Sequence, residues 1–229
     1  MEHYIRLARS FGPRVGYEGG AEAIIRLAAD LANVEAMIRL GLVALDPSEA
    51  IEAAADLRNF LALSGFGTGG LFEEAAKVAR NKENFRGLAT CIQSLGDIAL
   101  HRSDHDAARA RFEEALPLYR RVGAVIGEAN CIQSLGDIAL KQSDNDAAQV
   151  KFETALKLYE SIHEPYSIGC AHLRLARFAK NDAERRSHVE TARKAWTSID
   201  RPDLVKELDA AFPPPPPPKR RRKPVLAAT

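Results

Sequence analysis

The chain has 229 residues, 46% of them apolar and 28% charged, with a formal net charge of +1. No run approaches the ~20 apolar residues of a membrane span, and the start lacks the charged, apolar and small segments of a secretory signal. Lys219–Lys223 carries five positive charges, so the remainder stands at −4, which argues against a general polyanion or nucleic-acid binder.

Taken in order, Met1–Phe11 forms a short helix ended by Gly12-Pro13, and Gly16–Gly20 is a loop. From Ala21 the spacing of Ile24, Leu27, Ala28, Leu31, Val34, Ile38 and Leu42 predicts one long helix, or two joined near Asn33. Asp46-Pro47-Ser48 resets the chain, with Pro47 suited to a first helical turn, and alanine-rich Ala50–Leu63 is again helical. The glycine-rich Ser64–Gly70 lacks a Gly-Lys-Ser/Thr ending and follows a helix rather than a strand, so it is not read as a phosphate cradle.

The next stretch repeats. Cys91-Ile-Gln-Ser-Leu-Gly-Asp-Ile-Ala-Leu100 returns unchanged at Cys131–Leu140, and 22 of 32 aligned positions are identical between Ala89–Arg120 and Ala129–Glu160. A fixed period of forty marks stacked units that bury apolar surface only against their neighbours. In each unit Leu88, Ile92, Leu95, Gly96 and Ala99 share one helical face, as do Ala108, Phe112, Ala115, Leu116 and Tyr119 in a second helix. Ser103–Asp106 and Ser143–Asp146 supply caps between them. Gly96 and Gly136 lie inside helices, where glycine costs about 1 kcal/mol against alanine. Their equivalence therefore predicts close helix contacts, with Phe112 as the knob between units.

These residues carry a resemblance. Leu95-Gly96, Ala99, Ala108, Phe112 and Ala115, with Leu135-Gly136, Ala139, Ala148, Phe152 and Ala155, resemble the tetratricopeptide repeat signature. Ile92 and Ile132 replace its early Trp, Arg120 and Glu160 replace its Pro, and the period exceeds the usual thirty-four through longer helices or longer turns. The resemblance implies an all-α fold: a right-handed α-solenoid of stacked antiparallel helix pairs, with N-terminal helices and a C-terminal capping helix. The expected division is an N-terminal helical segment at 1–46, a degenerate repeat at 47–83 and repeats at 84–123 and 124–163. A degenerate repeat at 164–200, a capping helix at 201–212 and a disordered Pro-rich basic tail at 213–229 follow. Phe72-Glu-Glu-Ala75 places the first degenerate unit. The last is placed by Leu175-Ala176, Ala179 and His188–Ala192, the latter three residues early, with Trp196 in the place of Tyr159. Six prolines and Lys219–Lys223 in the tail are read as a solubilising segment, or as a ligand for a proline-reading domain or an anionic surface.

The N-terminal third, from His3-Tyr4 to Arg14 and from Arg26 through Leu42, is similar to the helical arm that leads into the repeats of STAND-type signalling ATPases. That resemblance implies a sensor or partner-binding arm. No Walker motif is present in this sequence.

Chemistry is sparse. His101 and His105 straddle a turn, adjacent Glu113 and Glu114 point about 100° apart on a helix, and no cofactor or metal fingerprint appears. The three cysteines include repeat-equivalent Cys91 and Cys131, too far apart for a disulfide. They have no Cys-x-x-Cys spacing, which suits a reducing, cytoplasmic location. The expectation is a non-enzyme without cofactor or metal. By the resemblance, first helices line the concave face, so the inward positions would be Thr90, Gln93, Asp97, His101; Asn130, Gln133, Asp137, Lys141; and Cys170, Leu173, Arg177, Lys180. Gln93/Gln133 and Asp97/Asp137 would form a ladder for an extended peptide or partner protein, with Arg177 and Lys180 as a basic end. The alternative is an architectural scaffold whose groove stays empty.

Overall fold

The computed structural model describes residues 2–15, 20–64 and 70–212. Of the loops expected at Gly16–Gly20 and Ser64–Gly70, residues 16–19 and 65–69 lie outside those residues, as does the tail at 213–229, while Gly20, Ser64 and Gly70 belong to helices. Among the described residues there are twelve α-helices, one 3-10 turn at Gly12–Arg14 and no strand. The first five are α1 (Glu2–Phe11), α2 (Gly20–Leu42), α3 (Ser48–Asp56), α4 (Arg58–Ser64) and α5 (Gly70–Asn81). Then come α6 (Phe85–His101), α7 (His105–Arg121), α8 (Val125–Lys141), α9 (Asn145–Ser161), α10 (Pro165–Leu175), α11 (Asp182–Thr197) and α12 (Pro202–Ala211). Consecutive helices pack as pairs: α6 on α7, α8 on α9 and α10 on α11, with α7 bridging to α8 and α9 to α10. This is an all-α, tetratricopeptide-like solenoid.

The forty-residue period comes from the helices. Helices α6 to α9 are each 17 residues long, and three-residue turns join them. Each turn follows one scheme. Glu83, Ser103, Gly123, Ser143 and His163 adopt positive φ at twenty-residue intervals. Each donates its N–H to a carbonyl three residues back, and the residue after each reaches five back, as Asp104 N to Ala99 O at 2.9 Å. That is the Schellman pattern. The same following residue caps the next helix: Asn84, Asp104 and Asp144 accept from Gly87, Ala107 and Ala147. One residue thus closes one helix and opens the next, so the turn stays short and neighbours run antiparallel.

Packing follows from shape. Phe72, Phe112 and Phe152 are fully buried, among alanines at 75, 108, 115, 148 and 155. A Cβ on Gly96 would stand 2.8 Å from the Phe112 ring, and one on Gly136 would stand 2.7 Å from the Phe152 ring. Gly127 meets the Tyr119 ring in the same way. The α2 pattern gives one unbroken helix rather than two, whereas the alanine-rich stretch divides at Leu57 into α3 and α4. Helix α1 packs on α2 and α3, and Arg39 of α2 reaches Glu74 of α5 at 3.2 Å. At the other end Trp196 is buried beside Val189, Ala192 and Leu208 of α12.

The last unit differs from its expected form. The pattern predicted a first helix continuing to Lys180, with a turn shortened by three residues. Instead α10 ends at Leu175, and residues 176–181 connect it to α11. Phe178 turns back against Phe152, with ring centroids 6.1 Å apart. Asn181 caps α11 through Glu184 N, while Glu184 accepts from Lys180 N. Apolar return and a capping network together outcompete five more helical residues.

Candidate partner-binding groove

Helix α6 packs against both α4 and α8. A cavity of about 260 Å³ opens there, lined by Arg58 and Asn59 of α4, Gln93, Asp97, Leu100 and His101 of α6, and Asn130, Gln133 and Ser134 of α8. Five of the expected inward residues, Gln93, Asp97, His101, Asn130 and Gln133, therefore share one cavity. They converge because the two copies of the decapeptide start their helices in equivalent register, at Phe85 and Val125.

The groups are not equivalent. Gln93 is buried, 3% exposed, and its Oε1 accepts from the Tyr119 hydroxyl at 2.6 Å. In the next unit the Tyr159 hydroxyl donates instead to Asn130 Oδ1 at 2.8 Å, because Asn130 stands where the first unit has Thr90. Thr90 turns its hydroxyl back to Arg86 O. Gln133, released from the tyrosine, keeps a buried Oε1 without a hydrogen-bond partner among the described residues. Burial of an unpaired acceptor costs about 1–3 kcal/mol, so this oxygen favours a donor.

The two ladder aspartates differ as well. Asp137 is held by Arg174 of α10 in a bidentate pair, Nε to Oδ1 at 2.8 Å and the second guanidinium nitrogen to Oδ2 at 2.9 Å. Asp97 has Arg58 Nε 3.7 Å from Oδ2, beyond hydrogen-bond range. Burial therefore prevails over that attraction and pushes its carboxyl up to about 6. Of the remaining expected residues, Lys141 is exposed at the end of α8, and Cys170 and Leu173 are half-buried in the last cluster. Arg177 and Lys180 are a correction. They fall in the 176–181 connection, because α10 stops at Leu175, and do not extend an inner helical face. The basic group on that face is Arg174.

Residues 89–161 match the tetratricopeptide repeat profile. They are tetratricopeptide repeats. No curated protein matches the chain. The fold is similar to the crystal structure of BtubC (BKLC) from P. vanneervenii, with a TM-score of 0.55 and 22% identity over 100% of this chain and 94% of that one. Tetratricopeptide repeats mediate protein–protein interaction, commonly by binding proteins or peptides, and their all-helical fold is typically non-enzymatic. Among the described residues no helix is long and apolar enough to cross a membrane, and no group of three or more His, Cys, Asp or Glu could hold a metal ion. Burial pushes the Cys91 thiol up to about 12, which makes it a poor nucleophile.

Arg58, Asn59 and Ser134 line the groove, and Arg174, Tyr119 and Tyr159 hold the expected inward residues, yet the sequence assigned none of them to this site. Arg174 had a usable signal: it is equivalent to Ser134 and Ser94 by the forty-residue offset, and a basic residue replacing a small one in a repeat marks a changed local contact.

Proposed function

We propose that the protein is a non-enzymatic interaction module that holds an extended segment of a partner protein in this groove. The observation that carries the reading is the cavity between α4, α6 and α8, lined both by Gln133, whose buried Oε1 has no partner among the described residues, and by Asp97, whose carboxylate stands 3.7 Å from Arg58. A volume of about 260 Å³ suits one or two side chains rather than a substrate-sized ligand, for which roughly 300–1,000 Å³ is usual. The binding set is Asp97, His101, Asn130, Gln133 and Ser134, narrower than the full ladder because Tyr119 and Arg174 engage Gln93 and Asp137. On the resemblance of its N-terminal third, the chain would serve as the partner-binding arm of a signalling regulator, and the free cysteines suit a cytoplasmic setting.

Affinity capture from native cells, with mass spectrometry, supplies the partner. The triple variant Asp97→Ala, His101→Ala, Gln133→Ala is expected to lose about tenfold or more in affinity, about 1.4 kcal/mol, with its unfolding midpoint retained or raised. Unchanged affinity would assign binding to the ends or edges of the stack.

A further inference from the structure

We propose that the cavity beside Asp97 is a subsite for a single arginine side chain of the partner. The inference rests on the groove being the partner-binding surface, and its support comes from the repeat itself. Asp97 and Asp137 are equivalent by the forty-residue offset, and so are Ser134 and Arg174. In the second unit, Arg174 of the following helix reaches back to Asp137 with both ends of its guanidinium, at 2.8 and 2.9 Å, and lies 5.9 Å from the Phe152 ring centroid. In the first unit, the residue at that place on the following helix is Ser134, and Ser134 lines the cavity next to Asp97. The space is where the chain's own arginine would be, had the first pair of units been built like the second.

The lining suits a planar donor. Asp97 has no hydrogen bond to Arg58, whose Nε is 3.7 Å away, and Gln133 Oε1 is buried without a donor among the described residues. A guanidinium presents five N–H groups in a fixed fork, enough to meet a carboxylate with two of them and an amide oxygen with a third. A lysine ammonium offers a point charge without the fork. Arg58 places one like charge nearby, so a lone arginine side chain is expected to bind only in the millimolar range and to depend on flanking contacts in a real partner.

The test uses the full chain, ¹⁵N-labelled, and Nα-acetyl-arginine amide as probe. The inference predicts saturable amide shifts around Asp97, Gln133 and Ser134. Nα-acetyl-citrulline amide, the same shape without the charge, should bind about tenfold more weakly or worse. Asp97→Asn should lower affinity for the arginine probe to a similar degree. Ser134→Arg should fill the cavity from within and abolish the shifts. Arg174→Ser, which takes away the guanidinium that holds Asp137, should open the equivalent space there and raise the number of probe sites from one to two. Absence of saturable shifts, equal binding of the citrulline analogue, or full binding by a folded Ser134→Arg protein would overturn the arginine assignment. None of these outcomes bears on whether the partner occupies the groove. That is read separately from partner affinity in the triple variant, so the two proposals fail independently.

Discussion

Replacing Gly96 or Gly136 by alanine sets two physical effects against each other, and the structure decides the sign. Helix propensity alone would stabilise the helix by about 1 kcal/mol, since glycine is the weaker helix former. Packing opposes this. The new Cβ would come within 2.8 Å of the Phe112 ring at Gly96 and 2.7 Å of the Phe152 ring at Gly136. Both rings are fully buried and cannot swing aside as a flexible chain end could. Overpacking of a tight core costs about 1–3 kcal/mol, so each alanine should destabilise by about 1 kcal/mol net, and leucine by more. Glycine then stands first in stability at both positions, where propensity alone would put it last. Urea unfolding followed by circular dichroism measures it. Phe112→Leu in the Gly96→Ala background should show a favourable coupling of at least about 0.5 kcal/mol. Gly123 is the control: it has open space around it but φ of +63°, so alanine there costs backbone strain that Phe112→Leu does not relieve. A higher unfolding midpoint for both Gly96→Ala and Gly136→Ala would refute the packing argument.

Asp97, with its carboxyl raised to about 6 from a usual 3.8, holds its proton more tightly folded than unfolded. Its neutral form therefore supports the fold below pH ~4, and that support is lost as pH rises through 6. Asp97→Asn should consequently exceed the wild type in stability at pH 7.5, by up to about 3 kcal/mol before allowance for its partial exposure, and lose most of that advantage at pH 4. Equal gaps at both pH values in urea titrations would contradict this. Pro117 lies inside α7 where α9 has Lys157, so Pro117→Lys should stabilise by up to about 3 kcal/mol, read as a higher midpoint. Ser143 has φ of +64°, and Ser143→Gly should gain about 0.5 kcal/mol net of glycine's extra unfolded entropy; a lower midpoint would show that the serine side chain matters more than its backbone.

The two near-identical units were legible because one physical pattern fixes each residue twice. Gly96 opposite Phe112 follows from helical spacing, and repetition at Gly136 and Phe152 confirms the register before any coordinates. The capping aspartates were legible for the same reason. What was not legible depends on the neighbour across the stack. Gln93 and Gln133 are identical in sequence and context, yet Tyr119 selects Gln93 while Tyr159 selects Asn130, because Thr90 offers a shorter and weaker acceptor than Asn130. Asp97 and Asp137 are likewise identical, and only the residue on the following helix, Ser134 or Arg174, makes one open and the other closed. The end of α10 was misread because Ala179 keeps the helical pattern in the sequence, while the return of Phe178 to Phe152 is a tertiary contact that spacing does not encode.

The central claim, that the inner helices rather than the outer ones hold the partner, is tested most directly by site-specific photo-crosslinking. His101 and Lys141 end the inner helices α6 and α8, whereas Glu113 and Glu153 belong to α7 and α9, and all four are exposed, so a benzophenone side chain at any of them should leave the core intact. The groove account predicts cross-links to the captured partner from positions 101 and 141 and none from 113 and 153. Cross-links from 113 and 153 alone would contradict it.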